Sequence, residues 1–152
     1  MRPHRRSTAV TLTAAAALAL GVAPSAHADP LFHTTTFPLS SVNSSSVTGS
    51  VIDIHTQGVR IYAQERYTLR GAVPDRTYAV NLTAYADVDC MAVVLAVPGS
   101  PTTTANSVGN ASAGRTFPFP GPGAGLLYLR WTVTDPGGVV VAQTDCAPVG
   151  LD

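Results

Sequence analysis

The sequence contains no lysine, and only 12% of its 152 residues are charged. All of its basic residues are arginines, and an equal number of carboxylates brings the formal net charge at pH 7 to zero. Nucleic-acid binding needs a basic patch that neutralises phosphates, and these scattered arginines do not form one. A hydrophobic share of 45% is too high for a disordered chain. The composition therefore indicates a folded domain without nucleic-acid partners.

Only one long apolar run is present, and it lies at residues 9–23. Arginines precede it, and Ala26-His27-Ala28 follows with the small residues that signal peptidase accepts. A membrane anchor is the alternative, but the run is shorter than the roughly 20 residues that span a bilayer. Residues 1–28 are therefore predicted to be a secretory signal peptide. The rest of the chain is predicted to be extracellular, with no transmembrane anchor, and its alanine-rich composition is associated with GC-rich bacterial genomes.

Cysteine is scarce, with only Cys90 and Cys146. An exported chain folds in an oxidising compartment, so the two cysteines are predicted to pair, with two free thiols as the alternative. Closing so long a loop stabilises a small domain by about 4 kcal/mol in the chain-entropy model. No Cys-x-x-Cys motif occurs, so thiol–disulfide catalysis is not indicated.

A sustained helical period is also missing from residues 29–152. Short alternating runs separated by Gly, Pro, Asn and Asp indicate an all-β fold instead. Strands are recognisable at residues 47–55, 59–70, 77–86, 90–97, 111–119, 125–135 and 139–144. Seven or eight antiparallel strands without crossover helices predict a Greek-key β-sandwich at 47–152. A Ser/Thr-rich N-terminal segment at 29–46 precedes this domain, and the serines of residues 40–50 indicate a loop.

Four individual features carry further expectations. The nearly continuous apolar run at 90–97 suits a strand that is covered on both faces. Trp131 is predicted to anchor the core, and the hydroxyl of Tyr78 to bond back to the chain at a corner of the sandwich. Glu65, which is the only glutamate, is predicted to lie on a solvated face.

Several short stretches occur in a fixed order: VTGSV at 47–51, GVRI at 58–61, LRGAVP at 69–74, TYAV at 77–80, TTAN at 103–106 and DCAPVGL at 145–151. In this order they resemble the copper/zinc superoxide dismutases. The resemblance implies the same sandwich architecture, and it also implies a disulfide between Cys90 and Cys146.

The metal chemistry of that family is not expected to accompany the fold. The family holds copper and zinc with six histidines and an aspartate, whereas only His33 and His55 follow the predicted leader. By the resemblance, Asn81, Thr83 and Thr134 stand where copper-binding histidines would be. Asparagine and threonine oxygens are poor copper ligands, so dismutase activity is not predicted and no cofactor is expected.

A residual single-metal site is the alternative. Asp53 and His55 lie two residues apart on a predicted strand, so their side chains share a face. Together with His33 they could hold one copper or zinc ion, and replacing His55 by alanine would then abolish binding. The simpler interpretation is that both histidines lie on a polar surface, because their spacing matches no zinc motif.

The sequence therefore predicts a secreted bacterial β-sandwich, superoxide dismutase-like but without a complete copper/zinc site. Its predicted role is that of a non-catalytic binding or envelope-associated module, whose partner is an extracellular protein or a small ligand. A metal-binding protein or divergent dismutase is one alternative. A secreted small-ligand carrier, with Tyr and Phe side chains lining a cleft between the sheets, is the other.

Overall fold

The computed structural model describes residues 33–55, 61–99, 101–118 and 125–151. The predicted signal peptide at 1–28 and the strand start predicted at residue 59 lie outside these ranges. The described chain forms ten strands: β1 (His33–Ser41), β2 (Thr48–His55), β3 (Ile61–Arg70), β4 (Thr77–Tyr85), β5 (Val93–Val97), β6 (Thr102–Thr104), β7 (Ala111–Pro118), β8 (Gly125–Thr134), β9 (Val140–Gln143) and β10 (Ala147–Leu151). The predicted all-β fold is confirmed, and within these ranges there is no helix that could cross a membrane.

Strand β1 joins the two halves of one curled antiparallel sheet. The strand order is β5-β4-β8-β9-β1-β2-β3-β7, with β6 paired to β4 and β10 paired to β8. Residues 33–39 of β1 pair with β2, whereas Ser40 and Ser41 pair with β9. The curl brings distant strands together, because Glu65 on β3 hydrogen-bonds to Trp131 on β8 although three strands separate them in the sheet.

The core lies inside the curl and follows the two-residue period of the strands. On β4 the buried residues are Tyr78, Val80, Leu82 and Ala84, which is the face that the sequence alternation predicts. Trp131 is fully buried, as predicted, and its ring stacks on Phe37 with a centroid separation of 4.8 Å. Such a stacked pair contributes about 0.5–1.5 kcal/mol beyond the apolar area that it buries.

The N-terminal part of the fold differs from the sequence prediction. The Ser/Thr-rich segment contains β1, which contributes Phe37 and Leu39 to the core and pairs on both sides. The loop expected at 40–50 occupies only residues 42–47. Within residues 34–41 of β1 only Phe37 and Leu39 are buried, so the apolar signal of this strand is weak. Threonine itself favours extended structure.

The predicted corner tyrosine is confirmed. The Tyr78 hydroxyl accepts a hydrogen bond from the backbone N–H of Val73 at 3.0 Å, five residues upstream. Tyr78 is itself almost fully buried, so this bond closes the turn at Pro74-Asp75 onto the start of β4. A tyrosine in this place satisfies a donor that the turn leaves without a ladder partner.

Candidate functional site

The predicted disulfide is present and fixes the turn that leads into β5. Cys90 lies in the β4–β5 turn and is bonded to Cys146, which lies between β9 and β10. Within the same turn, the Asp87 carboxylate accepts hydrogen bonds from the backbone N–H groups of Met91, at 3.0 Å, and Ala92. These two N–H groups hold the pKa of Asp87 below its usual value. The entry to β5 is therefore anchored covalently and by hydrogen bonds.

The predicted metal residues come together only in part. Asp53 and His55 share the inward face of β2, and a hydrogen bond of 3.2 Å joins the His55 Nε2 to the Asp53 Oδ2. His33 is the backbone register partner of His55 across the β1–β2 pair. The expectation that His55 lies on the surface is wrong, because both Asp53 and His55 are buried. Strand alternation explains this, since Val51, Asp53 and His55 point inward in succession.

Glu65 is buried, so the prediction that it lies on a solvated face is wrong. Its side chain is 2% exposed rather than solvated. One carboxylate oxygen accepts a hydrogen bond from the Trp131 Nε1 at 2.9 Å, and the other accepts one from the Tyr67 hydroxyl. Burial raises the pKa of Glu65 to about 8, with a smaller contribution from Asp53, its neighbour on β2. Glu65 is therefore mainly protonated at neutral pH.

The buried polar cluster comprises Asp53, His55, Glu65 and Tyr67. Arg115 lies opposite Glu65 on β7, and its charge works against the rise in the pKa of Glu65. Both Glu65 oxygens already accept hydrogen bonds inside the protein. Among the residues with described positions, no group of three or more His, Cys, Asp or Glu side chains is placed to hold a metal ion. The cluster therefore encloses the Glu65 carboxyl group among internal hydrogen bonds rather than presenting it to solvent.

The positions that correspond by resemblance to copper ligands lie on β4 and β8. The Asn81 Nδ2 donates to the Thr134 Oγ1 and to the Thr132 carbonyl, both at 3.4 Å, and the Asn81 Oδ1 accepts from the Gly99 N–H at 2.6 Å. Thr83 follows two residues along the same face of β4. The structure thus brings Asn81 and Thr134 into contact, and their polar groups serve to fasten the end of β5 to β4 and β8.

The apolar run around β5 is not covered, which makes it the most conspicuous surface of the described chain. The prediction of a strand covered on both faces is wrong, because Val93, Val94 and Leu95 are 60%, 58% and 46% exposed. Among the described strands, β5 lies at one end of the strand order and pairs with β4 alone. Exposed apolar side chains continue into the preceding turn, where Met91 is 81% exposed. Contiguous exposed apolar surface is a common feature of protein interaction sites.

The opposite end of the sheet is built differently. β7 is the other terminal strand, and its residues alternate between exposed and half-buried. Its exposed positions are Ser112, Gly114, Thr116 and Pro118. In addition, the Thr103 hydroxyl of β6 donates a hydrogen bond to the Ser112 carbonyl at 2.9 Å. Polar side chains, proline, bulges and covering contacts are the features that protect edge strands from pairing. β5 contains no polar residue and no proline, and its one irregularity is a register shift against β4 at Val94.

Two shallow hollows flank Arg70 on the outer face of β3. The larger has a volume of about 440 Å³ and is open to solvent. Its lining includes hydroxyl and amide groups of Thr68, Thr104, Asn106, Asn110 and Ser112, together with a larger exposed area of apolar atoms. Neither hollow is lined by tyrosine or phenylalanine, the residues expected for a carrier cleft.

Comparisons with known proteins do not assign a family. No model of a known protein family matches the chain, and no curated protein sequence matches it.

Proposed function

We propose that this chain is an exported, non-catalytic β-sandwich module, similar in fold to the copper/zinc superoxide dismutases, that binds another polypeptide chain at the free edge of β5. The Cys90–Cys146 bond supports export, because such bonds persist in oxidising compartments. The same bond and the corner bond of Tyr78 support a dismutase-like sandwich. The engaged amide of Asn81 supports a role without copper.

The uncovered edge of β5 is the observation that carries this proposal. Five of the nine exposed large apolar side chains in the described chain belong to residues 88–95, and the other four are dispersed along the chain. Every second residue of an edge strand also points its N–H and C=O groups away from the sheet. The edge therefore offers both apolar contact area and unpaired main-chain hydrogen-bonding groups.

Strand addition is the binding mode that uses both features. An extended segment of the partner would extend the sheet beyond β5, with main-chain hydrogen bonds supplying affinity and apolar side chains supplying contact. The disulfide and the Asp87 hydrogen bonds hold the turn before β5, and the Asn81 contact to Gly99 holds the turn after it. Because both ends are fixed, little conformational entropy remains to be lost when the partner binds.

A photo-crosslinking amino acid at Val94 tests this function in the culture that produces the protein. Val94 is exposed in the centre of the surface, so we expect a covalent adduct whose mass and peptides identify the partner chain. The matched control carries the same amino acid at Thr116, an exposed position on β7, and is expected to give no adduct. Equal labelling from both positions, or none from Val94, would contradict the proposal.

A metal-binding role is the second candidate, and the buried Asp53–His55 pair is the observation that favours it. The copper and zinc content of the protein after metal loading and desalting separates the two candidates. The binding module is expected to retain less than a tenth of an equivalent. Near-stoichiometric metal that His55→Ala removes would instead support the metal site.

A further inference from the structure

The residues of β5 and the charges around it bear on the identity of the polypeptide that binds this edge. We infer that the partner is a second copy of this chain, paired antiparallel through β5 about a two-fold axis at Leu95. This inference rests on the proposed function, because it names the occupant of the same edge. The argument has three parts, which concern the register, the charges and the second edge of the sheet.

β5 has one register shift, at Val94, where it pairs with β4. On its free side, a two-fold axis at Leu95 places the residues of β5 opposite those of the copy. Val93 then faces Val97 of the second copy, Val94 faces Ala96, and Leu95 faces Leu95. Each opposed pair is apolar, and side chains opposite each other on antiparallel strands lie about 5 Å apart at Cβ. A two-fold interface uses the same patch on both chains, so a uniformly apolar strand complements itself. Each copy would cover apolar side chains that the other leaves exposed.

The charges near β5 favour the antiparallel arrangement. Asp87 and Asp89 precede the strand and Asp145 adjoins the disulfide. Arg130 is the positive charge near this end, over the ring of Tyr85, which pairs with Val93, so the N-terminal end of β5 is negative on balance. The C-terminal end continues into Pro98 and Gly99, which carry no charge. Antiparallel pairing therefore places the acidic end of one chain beside the neutral end of the other. A five-residue strand separates the two acidic ends by about 17 Å, which exceeds the Debye length at physiological salt.

The other edge of the sheet explains why pairing stops at two copies. A chain with two free apolar edges would add further copies and form open fibres. β7 carries Ser112, Gly114, Thr116 and Pro118 at its exposed positions, and β6 bonds to its backbone. Only β5 is free of polar and proline residues along its full length. β10 also pairs with one strand only, β8, but Pro148 interrupts it and has no N–H to donate. Among the described strands β5 is therefore the one uninterrupted apolar edge, and one such edge per chain produces a closed dimer.

Sedimentation equilibrium of the protein, as purified from the cells that produce it, tests this inference. We expect a mass of two chains, and we expect Leu95→Lys to weaken association by about 100-fold, because two like charges then meet at the axis. Val94 is more exposed than Leu95 in the single chain, and Val94→Lys is expected to weaken the association as well. Thr116→Lys on β7 is the matched control and is expected to leave the dimer intact.

A charge-pair experiment separates the pairing from a loss of folding. Leu95→Lys and Leu95→Glu should each be monomeric, and mixing the two should restore the dimer because opposite charges now face each other across the axis. A monomeric wild type, or a dimer that Leu95→Lys leaves unchanged, overturns the inference. If the wild type is monomeric but Val94 crosslinks to a different chain, the inference fails while the proposed function stands. If it is monomeric and Val94 gives no adduct, both fail.

Discussion

The free energy of unfolding is expected to fall by on the order of 5 kcal/mol as the pH rises from 4.5 to about 8. Glu65 is the cause, because its pKa in the folded protein is about 8 whereas the ordinary value is 4.5. Between these two values the unfolded chain loses the proton that the folded chain retains. The folded state therefore becomes progressively less favourable through this window, and this contribution levels off above pH 8. Urea unfolding at a series of pH values, followed by the fluorescence of Trp131, measures the change.

The Glu65→Gln variant is the matched control for this pH dependence. Glutamine retains the volume of the side chain and an oxygen that can accept from the Trp131 Nε1, but it cannot ionise. We expect its unfolding free energy to lack the Glu65 contribution, so that it exceeds the wild-type value at pH 8 and approaches it at pH 4.5. Asp53, His55 and Arg115 interact electrostatically with Glu65, so the difference between the two proteins reports the ionisation of Glu65 together with these interactions. Parallel pH profiles for the two proteins would show that Glu65 does not ionise in this window.

Removing the disulfide is the second change with a large expected effect. Replacing both Cys90 and Cys146 by serine should lower the free energy of unfolding by about 4 kcal/mol. The two cysteines are 56 residues apart, so the bond restricts a long loop of the unfolded chain. The free energy of unfolding of a typical domain is about 5–15 kcal/mol, so the expected loss is a large fraction of the total. Denaturant unfolding of the variant and the wild type in parallel gives the difference.

Reductant provides the control for the disulfide variant. Wild-type protein unfolded in a strong thiol reductant should match the double serine variant, because both lack the same covalent bond. The native fold of the variant, checked by the near-ultraviolet signal of the buried Trp131, is expected to persist at neutral pH. A loss smaller than 1 kcal/mol in both comparisons would show that the bond contributes little to stability.

The inward-facing residues could be predicted in strands where apolar and polar side chains alternate with a two-residue period. Alternation on β4 and β8 identifies Tyr78 and Trp131 as core residues, and the structure confirms both. The same rule, applied to β3, places Glu65 on the face that also carries Tyr67 and Leu69. Charge alone predicts a solvent-exposed Glu65, yet the hydrogen bonds from Trp131 and Tyr67 compensate its burial. Those partners come from tertiary structure and are invisible in a local pattern.

The position of a strand within the sheet could not be predicted from its composition. The apolar run at 90–97 has the composition of a central strand, but β5 has only one strand neighbour among the described residues. The number of neighbours depends on long-range pairing, which a single short run does not encode. β1 shows the opposite case, because a threonine-rich strand with few apolar residues occupies the middle of the sheet.

Backbone hydrogen exchange along β5 tests the central claim most directly. Amides of β5 are compared in purified protein diluted below the concentration at which two copies associate and in the concentrated medium that contains its natural partner chains. We predict that exchange in β5 slows at least tenfold in the medium, while exchange in β7 is unchanged, because only β5 gains a strand. Exchange in β5 that is equally fast in both conditions would contradict the assignment of this edge as the binding surface.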